Sequence, residues 1–198
     1  MMNKQLLIFL TMAMLCVISL TAKAEGPVKL AVHIQQQDYD HPTRLWNFAE
    51  SLWVEQGPFV EASAQKAFAQ LGDHGYAMCN SKVEAANLLV WLRPNLYFNP
   101  QVSTFYGKVQ GYFYTADGKP LVRITGESKS VGRLLGDQTK VQIAKLFDAA
   151  TQDLYQRMQS NSQVYDYLNG KVKSMVTLNP CATAEFLPVS KFRFNAFQ

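Results

Sequence analysis

The sequence predicts an α+β domain: a mixed or mainly antiparallel sheet built around one long β-hairpin, with helices packed mainly on one face. Three observations carry this expectation. The uninterrupted apolar run LLVWL at 88–92 has the composition of a central strand covered on both sides. Two β-type segments, 104–115 and 121–128, flank Ala116-Asp117-Gly118-Lys119, and an Asp-Gly pair is the residue choice a tight hairpin turn demands. Ile143, Phe147, Ala150, Leu154 and Met158 recur at helical spacing and make the buried stripe of a long helix.

The chain begins with a segment of a different kind. Lys4 supplies a positive charge, residues 6–20 are apolar, and Ala22-Lys23-Ala24 is a small-x-small site before Glu25, so 1–24 reads as a cleaved export signal. The apolar run of about 15 residues is short of the roughly 20 that cross a bilayer, and no later stretch comes closer. The expectation is a periplasmic or secreted protein whose mature chain has no transmembrane span. Cys16 has Leu15, not a small residue, before it, so lipidation at Cys16 is the lesser alternative, and association with the outer membrane stays open.

Residues 25–198 are expected to form a single domain, because 198 residues of which 48% are hydrophobic suffice for one ordinary core. Loss of Lys4 and Lys23 lowers the formal charge from +4 to +2, with no Lys/Arg cluster, which is too weak a footprint for nucleic acid. Two cysteines remain after 24, Cys79 and Cys181, and an oxidising compartment favours their pairing. That disulfide closes a loop of about 100 residues and contributes up to about 4–5 kcal/mol in the chain-entropy view. Separate buried thiols, or Cys79 acting as a nucleophile with His74, are the alternatives.

Taken in chain order, 28–35 reads as a first strand with Leu30, Val32 and Ile34 on one face and His33 on the other. The following QQQDYDH gathers His33, Asp38, Asp40 and His41 close together in sequence. It reads as a strand-to-helix connector, with Asp40 capping a helix and Pro42 in its first turn. Metal binding by His33, Asp40 and His41 would require the strand end to fold back on itself. Apolar positions 45, 48, 49, 52 and 53 then predict a helix that buries Trp46 and Trp53, interrupted at Gly57-Pro58. A second helical stretch runs through Val60, Ala64, Ala67, Phe68 and Leu71 to Gly72, followed by a solvated turn at Asp73-His74. A short strand at 76–80 carries Cys79, and Pro94 is expected to end the central strand.

On the first hairpin arm, Phe105, Val109 and Phe113 share a face with Gly107 and Gly111. That face is expected against the helices, the glycines leaving room for a close helix. The opposite face carries Tyr106, Lys108, Gln110, Tyr112 and Tyr114. A long helix is expected from Asp137 to about 160, or from two residues later if Thr139-x-x-Gln142 acts as a capping box. A tail over 161–198 contains a helical stretch at 164–168, an Asn169-Gly170 stop and an aromatic-polar edge strand at 191–197, pinned by the disulfide near Cys79.

The run from Ala86-Asn87-Leu88-Leu89-Val90 through Tyr112-Phe113-Tyr114-Thr115-Ala116-Asp117-Gly118-Lys119 to the helix at 143–158 resembles the core of small cell-envelope lipoproteins of the YajG type and related envelope assembly proteins. This chain departs from them in its Cys16 context and in its cysteine-bearing tail. The resemblance implies an accessory or assembly role at the envelope and no enzymatic activity.

The sequence contains no G-x-S-x-G elbow, P-loop, G-x-G-x-x-G or H-E-x-x-H. No catalytic residues, metal or cofactor are therefore expected. Tyr106, Lys108, Gln110, Tyr112 and Tyr114 form the candidate partner or ligand surface, an amphipathic aromatic strip unless the tail covers it. The leading expectation is a non-enzymatic periplasmic accessory or assembly protein that binds another envelope protein. The alternatives are a glycan or small-molecule binding module using the same tyrosines, and an inhibitor or immunity-type protein.

Overall fold

The structure, a computed structural model, describes residues 28–80, 83, 85–172 and 179–187. The export signal expected at 1–24, with Cys16, and the edge strand expected at 191–197 lie outside the described residues.

β1 (Val28–Ile34) runs parallel to both of its neighbours, β4 (Tyr76–Met78) and β5 (Ala86–Asn99). β5 continues antiparallel into β6 (Thr104–Thr115) and β7 (Pro120–Val131), giving a mixed sheet in the order β4-β1-β5-β6-β7. The fold is α+β with helices packed on the sheet. The turn chemistry of the β6–β7 hairpin is as expected: Gly118 adopts φ +82°, its N–H donates to the Thr115 carbonyl at 2.9 Å, and Thr115 N–H donates to the Lys119 carbonyl at 2.9 Å.

One face of the sheet buries the main core. Leu30, Val32, Ile34, Val90 and Leu92 meet Val60, Ala64 and Phe68 from α2 (Gln56–Phe68) and the Ile143-to-Met158 stripe of α3 (Asp137–Ser160). α4 (Ser162–Leu168) adds Val164 and Leu168 and stops at Asn169, with Gly170 at φ +67°. Gly107 and Gly111 do make room for α3: a Cβ on Gly107 would stand 2.8 Å from Leu146 Cγ, and one on Gly111 3.2 Å from Leu154 Cδ1. The tightest approach is at Gly126, where a Cβ would lie 2.0 Å from the Ala150 carbonyl oxygen.

The opposite face holds a second, smaller core of Ala31, Leu89, Trp91, Tyr112, Tyr114 and Ala184, closed by α5 (Pro180–Glu185). The helices thus lie mainly, but not solely, on one face.

Three sequence expectations are corrected, and one alternative is decided. Residues 43–54 form an antiparallel ribbon, β2 (Thr43–Trp46) with β3 (Ser51–Val54), and not a helix. The segment satisfies a period of two as well as 3.6: Leu45 and Val54 are buried, while Arg44, Trp46, Ser51 and Trp53 point out. The Asn47 side chain settles the choice by accepting from Ala49 N–H at 2.8 Å and Glu50 N–H at 2.7 Å, which builds the turn. Secondly, QQQD does not lead into a helix at Asp40. The segment QQDYD forms the short helix α1 (Gln36–Asp40) itself, with Gln35 as its extended N-cap, ended at His41, whose N–H donates to the Gln37 carbonyl at 2.9 Å.

Thirdly, β5 runs through Pro94 to Asn99. β1 ends opposite Leu92, so among the described residues no strand is paired with that edge of β5 at Pro94, and an edge tolerates a residue without an N–H. Finally, there is no capping box at Thr139. Thr139 Oγ1 accepts from Leu135 N–H at 2.7 Å, Gln142 Nε2 donates to the Val131 carbonyl at 2.8 Å, and α3 starts at Asp137.

Candidate functional site

Side-chain alternation on β6 places the five candidate residues on the face opposite the main core, but the structure divides them. Tyr112 and Tyr114 are buried in the second core, the Tyr112 ring 5.3 Å from that of Trp91, its register partner on β5. Burial raises the phenol pKa of both, with Arg123 pulling the Tyr112 value back. Tyr112 Oη donates to Gln110 Oε1 at 3.2 Å. Tyr106, Lys108 and Gln110 keep solvent contact. Lys108 pairs across the ladder with Glu127 at 2.8 Å, an exposed bridge worth little by itself. Tyr97 completes this upper patch, its ring 6.0 Å from that of Tyr106 directly across the strand pair. Tyr97 is not among the five candidates because Pro94 predicts an end to the strand that carries it.

The expected disulfide is present. Cys79, on the back face just after β4, bonds Cys181 in the first turn of α5, with Cα atoms 5.3 Å apart and a sequence separation of 102. Its structural role is to hold α5 over Trp91, Tyr112 and Tyr114. Asn179, at φ +63°, caps that helix by accepting from Ala182 N–H at 3.2 Å.

A cleft of about 1030 Å³ opens beyond the C-terminal ends of β1 and β4, between α1, the first turns of α2, and α5. Gln35, Gln36 and Gln37 of the QQQDYDH segment line it. Tyr39 and Glu61 form one wall: Tyr39 Oη donates to Glu61 Oε2 at 2.9 Å, and Asn80 Nδ2 donates to Glu61 Oε1 at 2.7 Å. The Tyr39 ring rests on the start of α2, where a Cβ on Gly57 would come within 2.7 Å of its Cγ. Burial pushes the Tyr39 phenol well above its ordinary range, with further contributions from Glu61 and Asp38. His33 enters from the back face with its pKa lowered by burial and partly restored by Glu185. His41 is exposed outside this group, and among the described residues no cluster of three His, Cys, Asp or Glu is placed to hold a metal.

The least expected surface is the β2–β3 ribbon. Leu45 and Val54 anchor it in the main core, while Trp46 is 55%, Phe48 94% and Trp53 60% exposed. The Arg44 guanidinium lies 5.8 Å from the Trp53 ring centroid. The sequence carries a signal for it, the alternation Leu45/Trp46 and Leu52/Trp53/Val54, but that pattern was outweighed by the helical spacing.

No family model and no curated protein matches the chain. Among solved structures, it is similar to a minor lipoprotein from Acinetobacter baumannii at 10% identity and a TM-score of 0.36, over 76% of this chain and 96% of that one. It is also similar to a protein from Caulobacter crescentus, provisionally assigned as a lipoprotein, at 13% identity and a TM-score of 0.34, over 58% of this chain and 83% of that one. Likenesses this distant do not transfer a residue's role. Among the described residues, no helix is long and apolar enough to cross a membrane.

Proposed function

We propose that this chain is a non-enzymatic accessory or assembly protein of the cell envelope, exported to the periplasm, that acts by binding another envelope protein. The observation that carries the reading is the exposure of Trp46, Phe48 and Trp53 together on a ribbon whose other side is fixed in the core. Exposed aromatic surface of this kind favours association, and Trp is enriched where a few residues dominate a protein interface. The ribbon is pre-organised by its anchors Leu45 and Val54, so little ordering entropy is lost on docking. The export signal at 1–24 and the pattern-level resemblance to envelope lipoproteins of the YajG type support the compartment. Tyr97, Tyr106 and Lys108 offer a second, weaker patch.

The test is capture of the tagged protein's partner by in-cell crosslinking, followed by binding of the two purified proteins. Trp46→Ser, Phe48→Ser and Trp53→Ser combined should abolish binding while shifting stability little, since exposed side chains are removed. Tyr97→Ser with Tyr106→Ser should weaken it severalfold at most. Undiminished binding by the ribbon variant removes the basis of the reading.

A further inference from the structure

We infer that the cleft beyond β1 and β4 is a binding site for a neutral, polyhydroxylated ligand of the saccharide class, separate from the aromatic ribbon. Its position is the first ground. The chain leaves β1 toward β4 on one side, then crosses back to β5 on the other, so the order of parallel strands reverses at β1. The cleft lies outside the carboxyl ends of these parallel strands, the end at which open α/β sheets place ligands, on the β1/β4 side of that reversal. The volume, about 1030 Å³, is that of a small-ligand site.

The lining decides the chemistry. Gln36 Nε2 donates to Asp40, Gln37 Nε2 to Gln35 Oε1 and Asn80 Nδ2 to Glu61, which orients the four amides; an amide oxygen accepts two bonds and an amide nitrogen carries two N–H groups, so the cleft can still accept from and donate to a sugar hydroxyl. No lysine or arginine is among the described residues that line the cleft, whereas Glu61 and Glu185 are, and burial holds His33 toward its neutral form, so the fixed charge among the described lining residues is negative and disfavours a phosphate or carboxylate. Glu61 is already engaged by Tyr39 Oη and Asn80 Nδ2, which fixes the wall in place. Met78, from the main core, and Val83, from the second, add apolar contacts on the two sides of the cleft.

The experiment is isothermal titration of the processed protein, purified from the periplasm, with maltotriose, cellotriose and tri-N-acetylchitotriose, and with trigalacturonate as the anionic probe. At least one neutral trisaccharide is expected to bind, trigalacturonate is not, and Gln37→Ala or Asn80→Ala should weaken binding about tenfold, the loss of one good hydrogen bond. Gln37 is exposed, so its replacement tests the site without endangering the fold. The triple ribbon variant should bind sugar normally, which separates this site from the partner surface. Absence of binding by all three neutral sugars, preference for trigalacturonate, or unchanged affinity in both cleft variants would each overturn the inference.

Discussion

Asp38 and His33 lie five positions apart and titrate against the fold in opposite senses. Burial pushes the Asp38 carboxyl from 3.8 up to about 6, with Arg93 pulling it down. The native state therefore binds more protons than the unfolded one between those values, and Asp38's contribution to stability is fully present below about pH 4 and declines as pH rises through 6. Two pKa units correspond to about 3 kcal/mol, and the partial exposure of Asp38 reduces this to roughly 1–2 kcal/mol. Urea unfolding at intervals from pH 4 to 7 should show this loss in the wild type and a flatter profile for Asp38→Asn. Should the two profiles run parallel, Asp38 is ionised in the fold. His33 works the other way. Burial favours its neutral form, so its stabilisation is present above about pH 6.5 and lost as pH falls below that, a component that His33→Asn would remove. The sequence placed His33 on the face opposite Leu30, Val32 and Ile34, which alternation alone can show. The burial that lowers its pKa, and the Glu185 carboxylate that partly opposes it from far along the chain, are set by the tertiary fold, which spacing cannot show.

At the scale of elements, α3 lies so close to the sheet that three glycines are needed, and they are not equivalent. Gly126 faces backbone, the Ala150 carbonyl at 2.0 Å and the Leu154 amide at 2.5 Å, and backbone cannot move aside. Gly107 faces the side chain of Leu146, which can. Gly126→Ala is expected to cost about 3 kcal/mol or more, and Gly107→Ala about 1 kcal/mol, by chemical denaturation. Equal costs would mean that α3 shifts as a unit. Gly107 and Gly111 were legible in the sequence because alternation put them beside Phe105 and Phe113. Gly126 was not singled out, because which position of β7 faces the helix axis depends on register. The β6–β7 hairpin and α3 were legible for a simple reason: Asp-Gly and the five-residue stripe each satisfy one period and no other. Residues 43–54 satisfy two, and only the Asn47 turn and the docking of Leu45 and Val54 select the ribbon.

For the whole molecule, the Cys79–Cys181 bond joins segments 102 residues apart, and constraint of the unfolded chain gives up to about 4–5 kcal/mol. It also fastens α5 to the back face, so its loss should loosen the second core before the first. The chain has three tryptophans, and with Trp46→Phe and Trp53→Phe only Trp91 reports. In that background, Cys79→Ser with Cys181→Ser should lower stability by about 3–4 kcal/mol and red-shift Trp91 emission. A large stability loss with unshifted emission would show that α5 stays seated without the bond.

What the sequence by itself determined is the class of fold, the hairpin, the long helix, the face of the sheet that meets the helices, and the disulfide. Each follows from local periodicity, turn chemistry or a count of two cysteines, and none depends on knowing what packs against what. Tertiary structure alone decided the fate of the surfaces. Tyr112 and Tyr114 carry the same pattern as Tyr106, yet α5 covers two and leaves the third, because coverage is set by an element that a bond at Cys181 brings from the other end of the chain. Trp46 and Trp53 read as core and are exposed, because the face they occupy is fixed by which way the ribbon is anchored. The glutamine-lined cleft exists only where the ends of β1 and β4 meet α1, α2 and α5, a juxtaposition of segments that share no local signal.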